Sequence, residues 1–307
     1  MNLEKKYYAK LMLAGEYGVI SGSEALTVPL KIFSAKLTST TEKRSPGNEE
    51  ITASVNSIRN LVTYINALPR NSFYATPDTE AIEGLLKKGY YIESDIPEGY
   101  GIGSSGAVSA LIYDQFFSSG EKLSMQQQKR DLATLESCFH GKSSGVDAMT
   151  CYTGQALHFM PGDTIRQVET DSLDPGQGYR FFLVDSGAVF DTGPLVGHYL
   201  QQLNDPEFSK IIHEDYFPLI SKFIQAVTGS PGTDPALIFR AISDLQWNHF
   251  RKMIPEQMED AWINGQVSNA YYLKLNGSGG GFMLGIAHGD STETVEQMLS
   301  DFKVIWM

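Results

Sequence analysis

Hydrophobic and polar positions along this chain change period many times, so no single repeating architecture fits it. Residues 7–20 (YYAKLMLAGEYGVI) form short apolar runs interrupted at Gly15 and Gly18, the pattern of a strand pair. Residues 28–41 alternate and are rich in Val, Ile and Thr, which predicts a strand. After the polar turn EKRSPGNEE (42–50), helical spacing predicts helices over 55–68 and 77–88, the second opened by Pro77-Asp78 and closed by Gly89. A strand is expected near 89–94, then a glycine-rich loop, then a helix from Ser104 to about Ser118. Another helix covers roughly 124–139 and ends in the loop HGKSSGVD.

Strands near 155–160 lead into DSLDPGQGY (171–179), whose Pro, Gly and Asp content marks the expected division between lobes 1–176 and 177–307. Beyond it the pattern predicts a strand at 181–185 and helical stretches near 194–204, 206–228, 234–250 and 255–267. A strand-like YYLKLNG, the run GSGGGFMLGIAH, a last helix and a terminal strand complete the chain. Strands and helices interleave without the regular βαβ rhythm of a doubly wound sheet, which favours an α+β fold in two lobes.

Composition narrows the function. At 307 residues, with 42% hydrophobic and 20% charged positions, the chain can bury a substantial core. A net charge of −12 argues against nucleic-acid or anionic-membrane binding, because those surfaces need a positive field. The two cysteines, Cys138 and Cys151, are too few for a disulfide framework and fit a reducing compartment. MNLEKKYYAKLML lacks an apolar core of signal-peptide length, and no run approaches the roughly 18–20 apolar residues that span a bilayer. The expectation is a soluble cytoplasmic protein, monomer or homodimer, acting on a small molecule.

The stretch PEGYGIGSSGAV (97–108) carries the candidate chemistry, and several chemistries could claim it. Gly101, Gly103 and Gly106 spell the dinucleotide fingerprint, but Pro97 and Glu98-Gly99 interrupt the approach. Glu121, at the right count for a ribose-binding acid, falls in a turn between helices. Adding Val108 gives the protein-kinase loop, yet no V-A-I-K, H-R-D or D-F-G follows. A Walker A loop needs G-K-[ST], and no lysine precedes Ser104-Ser105. Local physics leaves a phosphate cradle. The glycines let the backbone approach a ligand, Ser104 and Ser105 start a helix whose free N–H groups attract anions, and a serine hydroxyl there can reach Mg²⁺.

Two further segments complete a pattern that resembles the GHMP kinases, the superfamily of galactokinase, homoserine kinase, mevalonate kinase and phosphomevalonate kinase. Pro97 to Gly106 matches the family phosphate loop P-x-x-x-G-[LI]-G-S-S-[AG]. KLMLAGEYGVISG (Lys10 to Gly22) matches K-x-x-L-x-G-E-[HY]-x-V-x-x-G, and KLNGSGGGF (Lys274 to Phe282) matches the C-terminal G-[AS]-G-G-G turn. Within the superfamily, ESCFHGKSSGVDAMT (136–150) is most similar to mevalonate kinase, which carries E-x-x-x-H-G-x-P-S-G-[VI]-D.

The resemblance implies a two-lobed fold, the N-terminal lobe like ribosomal protein S5 domain 2 and the C-terminal lobe ferredoxin-like. It also implies ATP and Mg²⁺, with the nucleotide bound between the lobes. It gives Asp147 the role of catalytic carboxylate and Lys10 that of electrostatic stabiliser, a cation that would favour the charged form of Asp147. Ser105 and Glu136 would hold Mg²⁺, while Gly101, Gly103, Ser104, Ser105, Gly106, Gly279 and Gly280 would cradle the nucleotide. Glu16, Tyr17, Thr192 and Ser278 would contact the acceptor. Phosphoryl transfer needs these parts: a cation on the phosphates and a residue that orients or deprotonates the attacking hydroxyl.

Some positions depart from the mevalonate kinase pattern. Ser143 stands where proline is usual and is expected to loosen that loop slightly. Tyr17 replaces the usual His and is common in phosphomevalonate kinases, so G-E-Y keeps that acceptor open. Phe190-Asp191 replaces an Arg-Ser pair, and Tyr100 a small residue of the phosphate loop. A GHMP-like binding protein without turnover is a further alternative, disfavoured by the intact Lys10, Glu136 and Asp147. Glu136 and His140 share helical spacing, but no third zinc ligand follows, and His140 is expected to pack the loop. Asp185-Ser186-Gly187 and Asp191-Thr192-Gly193 read like aspartic-protease triplets, yet they lie on one strand and its turn rather than in separate lobes. Trp247, Phe250 and Trp262 are expected in the core or at a subunit contact.

Overall fold

A computed structural model describes residues 3–40, 47–176, 178–229 and 234–307. Strand β1 (Tyr7–Ala14) leads through a 3-10 turn at Gly18–Ser21 into the long strand β2 (Ala25–Ser39). Helix α1 (Asn48–Ala67), the short strand β3 (Thr76–Pro77), α2 (Thr79–Lys87) and β4 (Tyr90–Ser94) follow. Next come α3 (Ser104–Phe116), β5 (Phe117–Ser118), α4 (Met125–His140) and α5 (Val146–Thr153). The chain continues with β6 (Ala156–Met160), β7 (Thr164–Val168) and β8 (Tyr179–Asp185), then α6 (Thr192–Gln202), α7 (Pro206–Ile211), α8 (Phe217–Val227) and α9 (Pro235–His249). It ends with α10 (Glu259–Ser268), β9 (Tyr271–Lys274), β10 (Phe282–His288), α11 (Thr292–Met298) and β11 (Lys303–Trp306). The mixed helix-and-sheet class expected from the sequence is present.

Contacts group the chain into two compact units. The first comprises Met1–Lys10, Pro29–Pro97 and Gly103–Gln155; the second comprises Leu11–Val28, Glu98–Ile102 and Ala156–Met307. Both are discontinuous in sequence, and the expected division at 176/177 falls inside the second.

In the first unit β4 pairs antiparallel with β2 over Ala35–Ser39. Helix α1 packs on β4, α2 and α4, and α3 packs on α4 and α5. Ile58, Leu61, Ile82, Leu111, Leu132 and Met149 fill the space between these elements. Local chemistry sets the helix starts: Asp78 accepts the Ala81 N–H at 2.9 Å, and Ser124 and Gln127 form a reciprocal capping box. Helix α3 is buried along most of its length, as its apolar run SSGAVSALIY requires.

In the second unit Ala25–Thr27 of β2 pairs with β6, which turns into β7. A separate antiparallel sheet runs in the order β11-β8-β10-β9. Its buried residues Leu183, Val184, Met283 and Leu284 read in the sequence as continuous apolar runs. Phe181 of β8 meets Phe223 of α8 and Phe239 of α9, which covers that sheet.

Several expected elements differ. Residues 7–20 form one strand and a 3-10 turn rather than two strands, because Gly15, at φ 106°, packs against Ala25, where a Cβ would clash. Helix α1 starts at Asn48, within the expected polar turn, of which residues 42–46 lie outside the described residues. The segment expected as a loop through Asp147 is already helical from Val146. The single helix expected over 206–228 is α7 and α8 joined by a π turn at Ile212–Tyr216, just before Pro218, which cannot donate a backbone hydrogen bond. Trp262 and Phe250 are core residues, and Trp247 is covered by the Arg251 guanidinium 3.5 Å from its ring centroid.

Candidate active site

Within the first unit, the glycine loop ends at Gly103, whose φ of 78° places it in the left-handed region and makes it the cap from which α3 departs. A side chain there would strike the Lys10 stem, so Gly103 is what lets Lys10 pass beneath the loop. The Lys10 ammonium lies 3.1 Å from Asp147 Oδ2, with the lysine side chain 1% and the aspartate side chain 30% exposed. Asp147 sits in the first turn of α5, which starts from Gly145 at φ 73°. Gly106 allows α3 and α5 to approach, since a Cβ there would come within 3.0 Å of the Ala148 nitrogen.

Beside this pair, Ser105 Oγ donates to Glu136 Oε1 at 3.2 Å, and Ser143 Oγ donates to Glu136 Oε2. Burial, with the nearby charge of Asp147, pushes the Glu136 carboxyl up to about 7, against the stabilising pull of Ser143, Ser105 and Lys10. Lys10, Ser105, Glu136 and Asp147, whose roles the resemblance implies together, are therefore neighbours. The donor set, one buried carboxylate with hydroxyls and a second carboxylate near, fits Mg²⁺, which takes one or two protein carboxylates and completes its shell with phosphate and water. No group of three or more His, Cys, Asp or Glu side chains that could form an all-protein cage occurs among the described residues. The expectation for His140 concerns a side chain outside the described part of the structure.

Within the second unit, the predicted glycine segments approach each other backbone to backbone. A Cβ on Gly101 would overlap the Asn276 carbonyl, and one on Gly277 would come within 2.6 Å of the Gly101 carbonyl. Asn276 ties these pieces together: its Oδ1 accepts the Met12 N–H at 3.0 Å and its Nδ2 donates to the Gly101 carbonyl at 3.4 Å. Gly279 and Gly280 hold φ values of 92° and 74°, in a turn where side chains would collide with Met253 and Phe190.

Three of the expected acceptor contacts also meet in this unit. Thr192 Oγ1 and Ser278 Oγ are 2.9 Å apart, and the Tyr17 hydroxyl donates to the Ser278 carbonyl. Tyr17 has a positive φ of 59°, a strained conformation costing about 1–3 kcal/mol. Its ring is held by stacking on Phe250 at 5.5 Å and by Tyr199 at 5.2 Å, and burial raises its phenol above the ordinary range. Glu16 lies instead in the core, ion-paired with the fully buried Lys274, which also donates to the carbonyls of Met12 (3.2 Å) and Leu275 (2.8 Å).

Sequence reasoning gave no role to Lys274, Asn276 or a hydrogen-bonded Ser143. A lysine inside the apolar strand YYLKL was the available signal, because a buried cation requires a buried acid. The protease-like triplets are turn chemistry: Asp185 accepts the Gly187 N–H at 2.9 Å, and Asp191 caps α6 through the Gly193 N–H at 3.1 Å.

Residues 72–155 match the family described as GHMP kinases N terminal domain. No curated protein matches the chain. Among solved structures, mevalonate kinase of L. major in complex with R-mevalonate is 16% identical, with a TM-score of 0.63 over 98% of this chain and 95% of that one. Streptococcus pneumoniae phosphomevalonate kinase in complex with phosphomevalonate and AMPPNP is 15% identical, with a TM-score of 0.64 over 99% of each chain. Lactococcus lactis galactokinase complexed with galactose is 10% identical, with a TM-score of 0.61 over 100% and 93%. The chain thus has the GHMP kinase fold along its whole length. The family match covers residues 72–155 of that length.

Proposed function

We propose that the protein transfers the γ-phosphoryl group of ATP to the hydroxyl of a small acid, and that this acid is mevalonate, giving 5-phosphomevalonate. The observation that carries the reading is the Lys10–Asp147 ion pair set beside Glu136 and Ser105 at the start of α3. Asp147, with an accessible edge, accepts the proton of the attacking hydroxyl as its oxygen bonds to phosphorus and the bond to the ADP oxygen breaks. Lys10 stabilises the charge that develops on the hydroxyl oxygen and the moving phosphoryl group. The N–H groups of Ser104, Ser105 and Gly106 at the helix start receive phosphate oxygens. Glu136 and Ser105 would hold Mg²⁺, whose charge neutralises the phosphates. Tyr17, Thr192 and Ser278, by family likeness, define the acceptor pocket, and Glu16 is a core partner of Lys274 rather than an acceptor contact.

Residues 136–150 favour mevalonate because they match the mevalonate kinase pattern around the chemistry. Tyr17 favours a second reading, phosphomevalonate, since tyrosine is common at that position in phosphomevalonate kinases. A coupled ADP-release assay with mevalonate, phosphomevalonate, homoserine and galactose separates the possibilities. Turnover with mevalonate is expected; turnover with a sugar or homoserine alone overturns the isoprenoid assignment, and absence of ADP release with any small alcohol leaves a binding protein. Among the described residues no helix is long and apolar enough to cross a membrane. We further propose a cytoplasmic monomer or homodimer without a nucleic-acid or membrane partner.

A further inference from the structure

We propose that Ser143 is a positioning residue that aims the Glu136 carboxylate for divalent-cation binding and couples it to the helix that carries Asp147. The proposal rests on the kinase reading of the Lys10–Asp147–Glu136 group. Glu136 is buried, and its two carboxylate oxygens are each held by a serine hydroxyl, Oε1 by Ser105 and Oε2 by Ser143. With both oxygens anchored, the carboxylate plane is fixed rather than free to rotate.

Ser143 is itself fixed from both sides. Its backbone N–H donates to Ser137 Oγ at 3.1 Å, and Ser137 Oγ donates to the Ala133 carbonyl at 2.7 Å, which anchors the loop to the last turns of α4. Its hydroxyl accepts the Gly145 N–H at 2.9 Å, and Gly145 is the cap of α5, two residues before Asp147. The loop has no slack at that point: a Cβ on Gly145 would come within 2.5 Å of the Lys129 carbonyl and 2.9 Å of the Ala133 Cβ. One hydroxyl therefore links the metal-facing carboxylate to the start of the helix bearing the proton acceptor. A proline at 143 would lack both the N–H bonded to Ser137 and the hydroxyl bonded to Glu136 and Gly145. The loop that the sequence suggests is loosened by losing a proline is instead tied by three hydrogen bonds of the serine.

The test measures Mn²⁺ binding by electron paramagnetic resonance in the presence of ADP, alongside the Mg²⁺ dependence of turnover. The variants are Ser143→Ala, Ser143→Thr and Ser143→Val, with Ser144→Ala as the neighbouring control. Thr and Val share a shape and differ in the hydroxyl, so that pair isolates the hydrogen bond even where the alanine variant folds poorly. Ser143→Ala and Ser143→Val should weaken Mn²⁺ binding about ten- to a hundred-fold, the usual cost of losing a group that orients a metal ligand. They should raise the Mg²⁺ requirement more than they lower kcat at saturating Mg²⁺. Ser143→Thr and Ser144→Ala should stay within about three-fold of the wild type. Equal Mn²⁺ affinity in the Thr and Val variants overturns the role of Ser143 and leaves the kinase reading intact. A wild type that binds no Mn²⁺ with ADP overturns the kinase reading, and the role of Ser143 with it.

Discussion

Lys10 and Asp147 form an unequal pair: the ammonium is 3.1 Å from the carboxylate, yet the lysine is enclosed while the aspartate keeps an exposed edge. A buried cation needs a counter-charge, and here that counter-charge also faces outward, where a hydroxyl can reach it. Removing the carboxylate while keeping its shape tests both roles. Asp147→Asn should lower kcat by about 10²–10⁴-fold, the usual worth of a positioned base, with ATP affinity within a few-fold of the wild type. Steady-state kinetics with ATP titration checks this, and near-normal turnover would exclude Asp147 as the proton acceptor. Lys10→Met should lose comparable activity, because the charge stabilising the transfer is removed.

The hydroxyl–carboxylate contact between Ser105 and Glu136 predicts a different kinetic signature. Glu136→Gln keeps the hydrogen-bonding shape and removes the charge that a divalent cation requires. The expected result is a rise of at least ten-fold in the Mg²⁺ concentration for half-maximal rate, with Ser105→Ala showing a smaller shift in the same direction. Isothermal titration of nucleotide with and without Mg²⁺ should show the loss only in the metal-dependent part. Unchanged Mg²⁺ dependence in both variants would remove these residues from the metal site.

The Glu16–Lys274 pair is buried on both sides, and its desolvation is offset by three acceptors around the lysine. Breaking it from one side should cost about 3–5 kcal/mol in urea unfolding, as expected when one buried charge loses its partner. Lys274→Met combined with Glu16→Leu should be less destabilised than the sum of the single variants, since neither charge is then left alone. Additive losses would show that the pair contributes no coupling.

How much of this was legible in the sequence depended on how local the signal was. The helix start at Ser104 could be read from its own residues, because glycine and serine at a helix N-terminus have a specific physical job. Helix α5 could not, since VDAMTCYT spans only two turns and presents no apolar period. Its one local mark is the pair of bracketing glycines, Gly145 and Gly154, both in the left-handed region. The proximity of Lys10 to Asp147 was available only through family likeness, as no pattern links residues so distant along the chain. Ser143 shows the reverse failure. A substitution judged by what proline would have supplied hid what the hydroxyl and N–H supply instead, which depends on Glu136, Ser137 and Gly145 being adjacent. Lys274 is visible as a charge in an apolar strand, but the family resemblance assigns its partner, Glu16, to the acceptor, which hides the pair.

The two free cysteines provide a test of the core beneath the glycine loop. Cys151, on α5, is fully enclosed with its thiol 3.8 Å from the Gly103 carbonyl, whereas Cys138, on α4, is half-buried. Burial raises both thiols above the ordinary range, Cys151 much further, with the Asp147 and Glu136 charges adding to the shift. The thiolate is the reactive form, so a raised pKa lowers its population at any pH below it, and modification must accelerate as pH rises. At pH 8 the native protein should react with Ellman's reagent at Cys138 first, more slowly than an unfolded thiol does. Cys151 should react only as fast as the unit opens, and in 6 M guanidinium both should react together. Raising the pH from 7 to 9 should speed Cys138 several-fold. Its effect on Cys151 should be limited to whatever destabilises the fold, because access rather than ionisation is the barrier there. Equal rates for both cysteines in the native protein would mean that α5 does not pack beneath Gly103 as described.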